Sequence, residues 1–203
     1  MTVSKKTLAA VICAVILAVF AFSTVSALGE EMEIYDKTLR LHILANSDGE
    51  ADQALKLKVR DAVLKTLSKE INECESKEEA EALIRSRSNE IERTAEAVVR
   101  SEGYRYGVTL TVTEERYPKR SYGDITLPAG EYTSVRIMLG EAEGQNWWCV
   151  LFPQVCTDTA TPADEKLAQV GFTATQIRLL TKAEKPEYKL RFKIVELISE
   201  LFS

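Results

Sequence analysis

One histidine occurs in 203 residues. That scarcity excludes histidine-rich metal sites and any mechanism built on two imidazoles. Neither a metal nor a cofactor is expected. A basic excess is missing too: 26 lysines and arginines face 31 acids, and the formal charge is −5. Nucleic-acid binders carry a basic balance and a basic stripe, so that class is set aside. Internal repeats and low-complexity runs are absent, as is the G-x-S-x-G motif of an activated serine. Gly140 and Gly144 are four apart, without the strand, glycine turn and helix that a phosphate cradle requires. The segment from Gly140 to Asn146 reads instead as a long hairpin loop. Carboxylates are plentiful, yet Glu30, Glu31, Glu78, Glu79 and Glu81 gather at helix starts or the amino end, where solvation explains them. No pair of catalytic acids stands out.

What the sequence does have is a charge-free run from Thr7 to Gly29, preceded by Lys5 and Lys6. Its apolar stretch, Leu8 to Phe22, followed by Val25-Ser26-Ala27, has the form of a secretory signal cleaved after Ala27. An uncleaved anchor fits the same run, because about 20 apolar residues span a bilayer. Cys13 follows Ile12, where a lipoprotein signal needs a small residue, so lipid attachment there is not expected. In either case the remainder faces outward, and membrane contact is confined to the N-terminal segment. Removing residues 1–27 takes away two lysines and no acids, which moves the formal charge from −5 to −7. Residues 28–203 suit a single extracytoplasmic domain, long enough to bury a core without several disulfides.

Three cysteines follow the signal. Cys149 and Cys156 flank Val150-Leu151-Phe152-Pro153. An oxidising compartment favours their closing a disulfide across a proline turn, and the alternative is two buried thiols beside the tryptophans. Cys74 lies among Glu73 and Glu75, whose charge makes it a poor nucleophile and a plain surface thiol.

Leu39 to Leu44 alternates as a strand and runs into Ala45-Asn46-Ser47-Asp48-Gly49, a turn whose side chains can cap a helix beginning near Glu50. Ala51, Ala54, Leu55, Val59, Ala62, Val63, Leu67 and Ile71 form one face of that helix, which lasts to about Glu73. Ser76 and Glu79 make a capping box for a second helix, whose stripe is Ala80, Leu83, Ile84, Ile91, Ala95 and Val98 and which ends at Gly103. The two helices should pack antiparallel. Strands follow around Val108 to Val112, Tyr132 to Leu139 and Trp147 to Phe152, with turns at Gly123 and Pro128-Ala129-Gly130. A short helix is expected over 163–170. A strand from Tyr188 to Ile194 leading into a terminal helix closes the chain. This order predicts an α+β fold: an antiparallel or mixed sheet, two long packed N-terminal helices and a short C-terminal helix.

His42 could join Ser47 and Asp48 in a nucleophilic trio, or fill a half-buried sheet position. Trp147 and Trp148 are adjacent in a strand and must point to opposite faces. An exposed tryptophan there suits a protein contact or a stacked sugar; the plainer alternative covers both rings. Lys189, Arg191 and Lys193 read as a solvated strand face.

Two stretches together resemble a known family: Arg40-Leu41-His42-Ile43-Leu44-Ala45-Asn46-Ser47-Asp48, continuing into Asp52-Gln53-Ala54-Leu55-Lys56-Leu57-Lys58-Val59-Arg60-Asp61, and later Asn146-Trp147-Trp148-Cys149-Val150-Leu151-Phe152-Pro153. Tyr117-Pro118, Tyr122-Gly123, Leu127 to Tyr132 and Gly140 agree with its middle section. The chain is similar here, over about 37–156, to stage II sporulation protein R, and it departs at Gln154, where the family has a second proline. The resemblance implies a non-enzymatic signalling protein of endospore formers, exported into the space between forespore and mother-cell membranes. Its partner there would be a membrane-embedded aspartic protease of the mother cell, which processes the sigma-E precursor. The partner-binding residues expected are Arg40, His42, Asn46, Ser47, Asp48, Trp147 and Trp148. An exported cell-wall or peptide hydrolase using His42 is the rival reading, and a wall-binding module a third.

Overall fold

The structure is a computed structural model that describes residues 5–154 and 161–181. The expected strand at Tyr188 to Ile194, the terminal helix and Cys156 lie outside the described residues. The chain runs α1 (Lys5–Asp36), β1 (Leu39–Leu44), α2 (Glu50–Glu73), α3 (Lys77–Ser101), β2 (Val108–Tyr117), β3 (Arg120–Tyr122), β4 (Ile125–Leu127), β5 (Gly130–Leu139), β6 (Asn146–Phe152), α4 (Ala163–Gln169) and α5 (Ala174–Thr181). It is an α+β fold with a mixed sheet.

Helices α2 and α3 form in register with their apolar spacing and pack on each other across a three-residue connection. Leu55, Val59, Val63, Leu67 and Ile71 of α2 meet Ala80, Ile84, Ile91 and Ala95 of α3 in one buried cluster. Ser76 accepts from Glu79 N at 3.2 Å, and Glu79 Oε2 accepts from Glu75 N at 2.9 Å, so the capping box forms, its return bond reaching one residue further out. Gly103, at φ +86°, turns the chain out of α3. The first turns of α2 differ from expectation. Ala51 and Ala54 are exposed, whereas Asp52 and Lys56 are buried. Gly49 stands at the N-cap and, having no side chain, offers no side-chain cap.

The main sheet has the order β2-β5-β1-β6, and β3 and β4 form a separate hairpin. β1 is parallel to β5, with Leu41 opposite Val135, and antiparallel to β6, with Leu41 opposite Cys149. Every residue of β1 is buried, as befits a central strand covered on both faces. One face, carrying Leu39, Leu41, Ile43, Val135, Ile137 and Leu151, lies under α2 and α3. Because β1 separates β5 from β6, the segment from Gly140 to Gln145 is not a hairpin loop. It crosses the carboxyl end of β1 instead.

A second, smaller core joins Ile34, Ile125, Leu127, Val150, Leu167, Phe172 and Leu180. It therefore gathers the end of α1, the β3–β4 hairpin, α4 and α5 on the sheet face away from α2 and α3. Further back along α1, Val15, Ile16, Leu17, Phe20 and Phe22 are exposed. Among the described residues no helix is long and apolar enough to cross a membrane.

Candidate functional site

The sheet face opposite α2 and α3 carries polar and aromatic side chains where a core would ordinarily be apolar. Residues of one parity along β1 put Arg40 and His42 there, with 0% and 3% exposure. An unpaired buried charge is costly, so its surroundings matter. Arg40 Nε donates to Cys149 O at 3.1 Å, and Nη2 donates to the Tyr122 hydroxyl at 2.5 Å. The guanidinium lies 4.1 Å from the ring centroid of Tyr117, 4.9 Å from Tyr132 and 5.3 Å from Tyr122. Three electron-rich faces thus take the place of a carboxylate. Nη1 has no hydrogen-bond partner among the described residues. Burial pushes the Tyr117 and Tyr122 phenols up, so both rings stay neutral around the cation. Tyr117 is further held by Ser134, oxygen to oxygen at 2.6 Å.

His42 lies one pleat further along. Its Nδ1 faces Glu115 Oε1 at 2.8 Å and its Nε2 faces Asn146 Oδ1 at 2.7 Å. The ring is 5.7 Å from Trp148, which in turn lies 6.0 Å from Tyr117 and has the Arg120 guanidinium 4.2 Å above its centroid. Trp148 is half-buried and Arg120 exposed, so this is where the aromatic face reaches solvent. Trp147 points to the opposite side, against the main core, with Arg60 5.1 Å from its ring. The expected division of the two tryptophans between faces holds. Each keeps part of its surface open beneath an arginine.

Asn46, Ser47 and Asp48 belong to a different assembly. Asn46 Nδ2 and Ser47 Oγ donate to Asp52 Oδ2 at 2.8 and 2.6 Å, and the Tyr106 hydroxyl donates to Oδ1 at 3.1 Å. Those bonds, Ser47's above all, hold the Asp52 carboxyl below the usual carboxylate range. On the other side Asn46 Oδ1 accepts from Glu141 N at 3.0 Å, Asp48 Oδ1 accepts from Gln145 N at 2.7 Å and Lys56 Nζ donates to Gln145 O at 2.7 Å. The turn after β1 is therefore a clasp for the 140–145 crossover. Its side chains hold the crossover rather than cap α2, whose N-cap, Gly49, has no side chain. Gly144 permits the close approach: a Cβ there would stand 2.2 Å from Ser47 O.

The grouping of His42 with Ser47 and Asp48 is not assembled. Both imidazole nitrogens are occupied by Glu115 and Asn146, and Ser47 Oγ is spent on Asp52. Among the described residues no cluster of histidine, cysteine, aspartate and glutamate could hold a metal ion. Cys74 is half-buried rather than a plain surface thiol, and burial, then Glu79, Glu70 and Glu73, push its thiol up. Cys149 is buried, at 1% exposure. Sequence reasoning did not place Glu115 or Arg120 at the site, and named Asp52, Tyr117, Tyr122 and Tyr132 in the family resemblance without a role there. Glu115 and Tyr117 share a face by strand parity, a signal that was present; the reach of Glu115 across β5 to His42 was not legible.

Residues 35–161 match the family model described as stage II sporulation protein R. Stage II sporulation protein R of Bacillus subtilis (strain 168) is 36% identical over 187 residues, covering 84% of each chain. No solved structure matches. The Arg40–His42 strand, the clasp and the Trp147-Trp148 strand all lie within the matched region, and the chain belongs to the stage II sporulation protein R family.

Proposed function

We propose that this protein is an exported signal of endospore formation, acting outside the cytoplasm to switch on a membrane-embedded aspartic protease that processes the sigma-E precursor. Family membership carries the sporulation role. What supports a recognition role is one observation: Trp148, half-exposed under Arg120, stands on buried His42 and Tyr117 and on half-buried Glu115, which holds His42. Tryptophan and arginine held in fixed geometry are the side chains that anchor protein interfaces. Arg40 and His42 are buried, so they shape this surface from beneath. Asn46, Ser47 and Asp48 fix the crossover that delivers Asn146 to it, and Trp147 steadies β6 from the other face. On this reading the N-terminal segment directs export and is removed after Ala27, the working space lies between forespore and mother-cell membranes, and a Cys149–Cys156 disulfide closes the end of β6.

Co-expression with the candidate protease and its precursor in a non-sporulating host tests the proposal. Processing should appear only when the chain is exported. Trp148→Ala should abolish it with secretion intact, and His42→Ala and Asp48→Ala should do the same by loosening the base and the clasp. Normal processing in all three variants would sink the reading.

A further inference from the structure

Shortly after the expected cleavage point, the end of α1 packs into the second core against the sheet. Ile34 is 1% exposed in the second core, and Thr38 Oγ1 donates to Ile34 O at 2.7 Å. Lys37 Nζ donates to Gly171 O at 3.0 Å, and Gln176 Nε2 donates to Glu33 Oε2 at 2.8 Å, so α5 and the turn before it grip the end of α1. Tyr35 donates to Ala129 O at 3.2 Å and lies so close over Gly130 that a Cβ there would stand 2.6 Å from its ring.

From Tyr35 a continuous file of rings and guanidinium groups runs across the sheet. Tyr35 meets Tyr132 edge-on, with centroids 4.9 Å apart, and Tyr132 meets Tyr117 edge-on at 5.8 Å. Arg40 lies against both of those rings, and Tyr117 touches Trp148. Edge-to-face contacts fix the tilt of each ring relative to the next, which plain apolar packing does not. We infer that Tyr35 is a positioning residue for the Trp148 surface, so that the end of α1 is a working part of the recognition face. The inference rests on the reading that Trp148 meets the partner, but its geometric half can be tested apart from that reading.

In the full chain with Trp147→Phe, Trp148 is the sole tryptophan, and its emission reports its own surroundings. Tyr35→Leu retains apolar bulk over Gly130 and removes the ring edge; it should shift Trp148 emission to the red and increase its quenching by iodide. Tyr35→Phe, which keeps the ring and removes the hydroxyl that donates to Ala129 O, should leave emission unchanged. In the co-expression assay Tyr35→Leu should reduce processing roughly 2- to 10-fold, the range an aromatic pair supports, with Tyr35→Phe near normal. Unchanged emission in Tyr35→Leu overturns the inference whatever processing does, and Tyr35→Ala provides a second variant should the leucine fail to fold. A shifted emission alongside normal processing in Trp148→Ala would uphold the positioning and sink the recognition reading instead.

Discussion

At the scale of single residues, the buried polar groups around this sheet are held by specific partners, some close in sequence and some far along the chain. Asp52 is the clearest case, with three donors from Asn46, Ser47 and Tyr106. Its folded carboxyl ionises below the ordinary value of about 3.9. The stability it contributes is therefore complete above that value and disappears as pH falls through the lower folded one. Asp52→Asn should cost about 2 kcal/mol at pH 7, the scale of hydrogen bonds to a charged group. Urea unfolding of both proteins should show the gap closing as pH falls below about 4; a gap constant with pH would mean that the carboxylate is not the source. Little of this was legible locally. His42 reads at most as a half-buried sheet position, and the groups that satisfy Arg40 and His42, Cys149 and Asn146, lie 109 and 104 positions away. Asp52 joins its near neighbours Asn46 and Ser47 to Tyr106, 54 positions on.

Among elements, legibility follows the range of the forces that form them. The helices α2 and α3 were readable from apolar spacing and the Ser76 box, both local, and the short helix α4 and the turn at Gly123 likewise. The 140–145 segment was misread as a hairpin because glycines and acids look alike in any connection, while its course depends on β1 occupying the gap between β5 and β6. Its close fit makes a sharp prediction. A Cβ on Gly144 would meet Ser47 O and C at 2.2 and 2.5 Å, backbone atoms that cannot swing aside. Gly144→Ala should destabilise the protein by about 2 kcal/mol or more, in the range of overpacking, and lower its melting temperature by about 4 °C or more. Gly29→Ala, with nothing within 4 Å of the added carbon, should not.

For the whole molecule, the two cores are mounted on opposite faces of one sheet, and β6 supplies side chains to both, Leu151 to the larger and Val150 to the smaller. Losing either core strips a face from the same strands. Trp147 and Trp148 watch the two sides. Single-tryptophan proteins made by Trp147→Phe and Trp148→Phe should therefore unfold in denaturant at coincident midpoints once each is referred to its own circular dichroism transition. Separate fluorescence midpoints would show the faces melting independently.

The placement of β1 has a further consequence, in time. The strand at the centre of the sheet is made of residues 39–44, and its two neighbours are residues 130–139 and 146–152. For a chain threaded amino end first through a narrow channel, β1 emerges with no strand to pair with and stays so until roughly a hundred further residues have passed. Pairings this distant form late, because the intervening loop must close before they can stabilise anything. Such a chain would stay unfolded while it is threaded, so on the proposed export the surface carrying Trp148 would form only on the far side of the membrane.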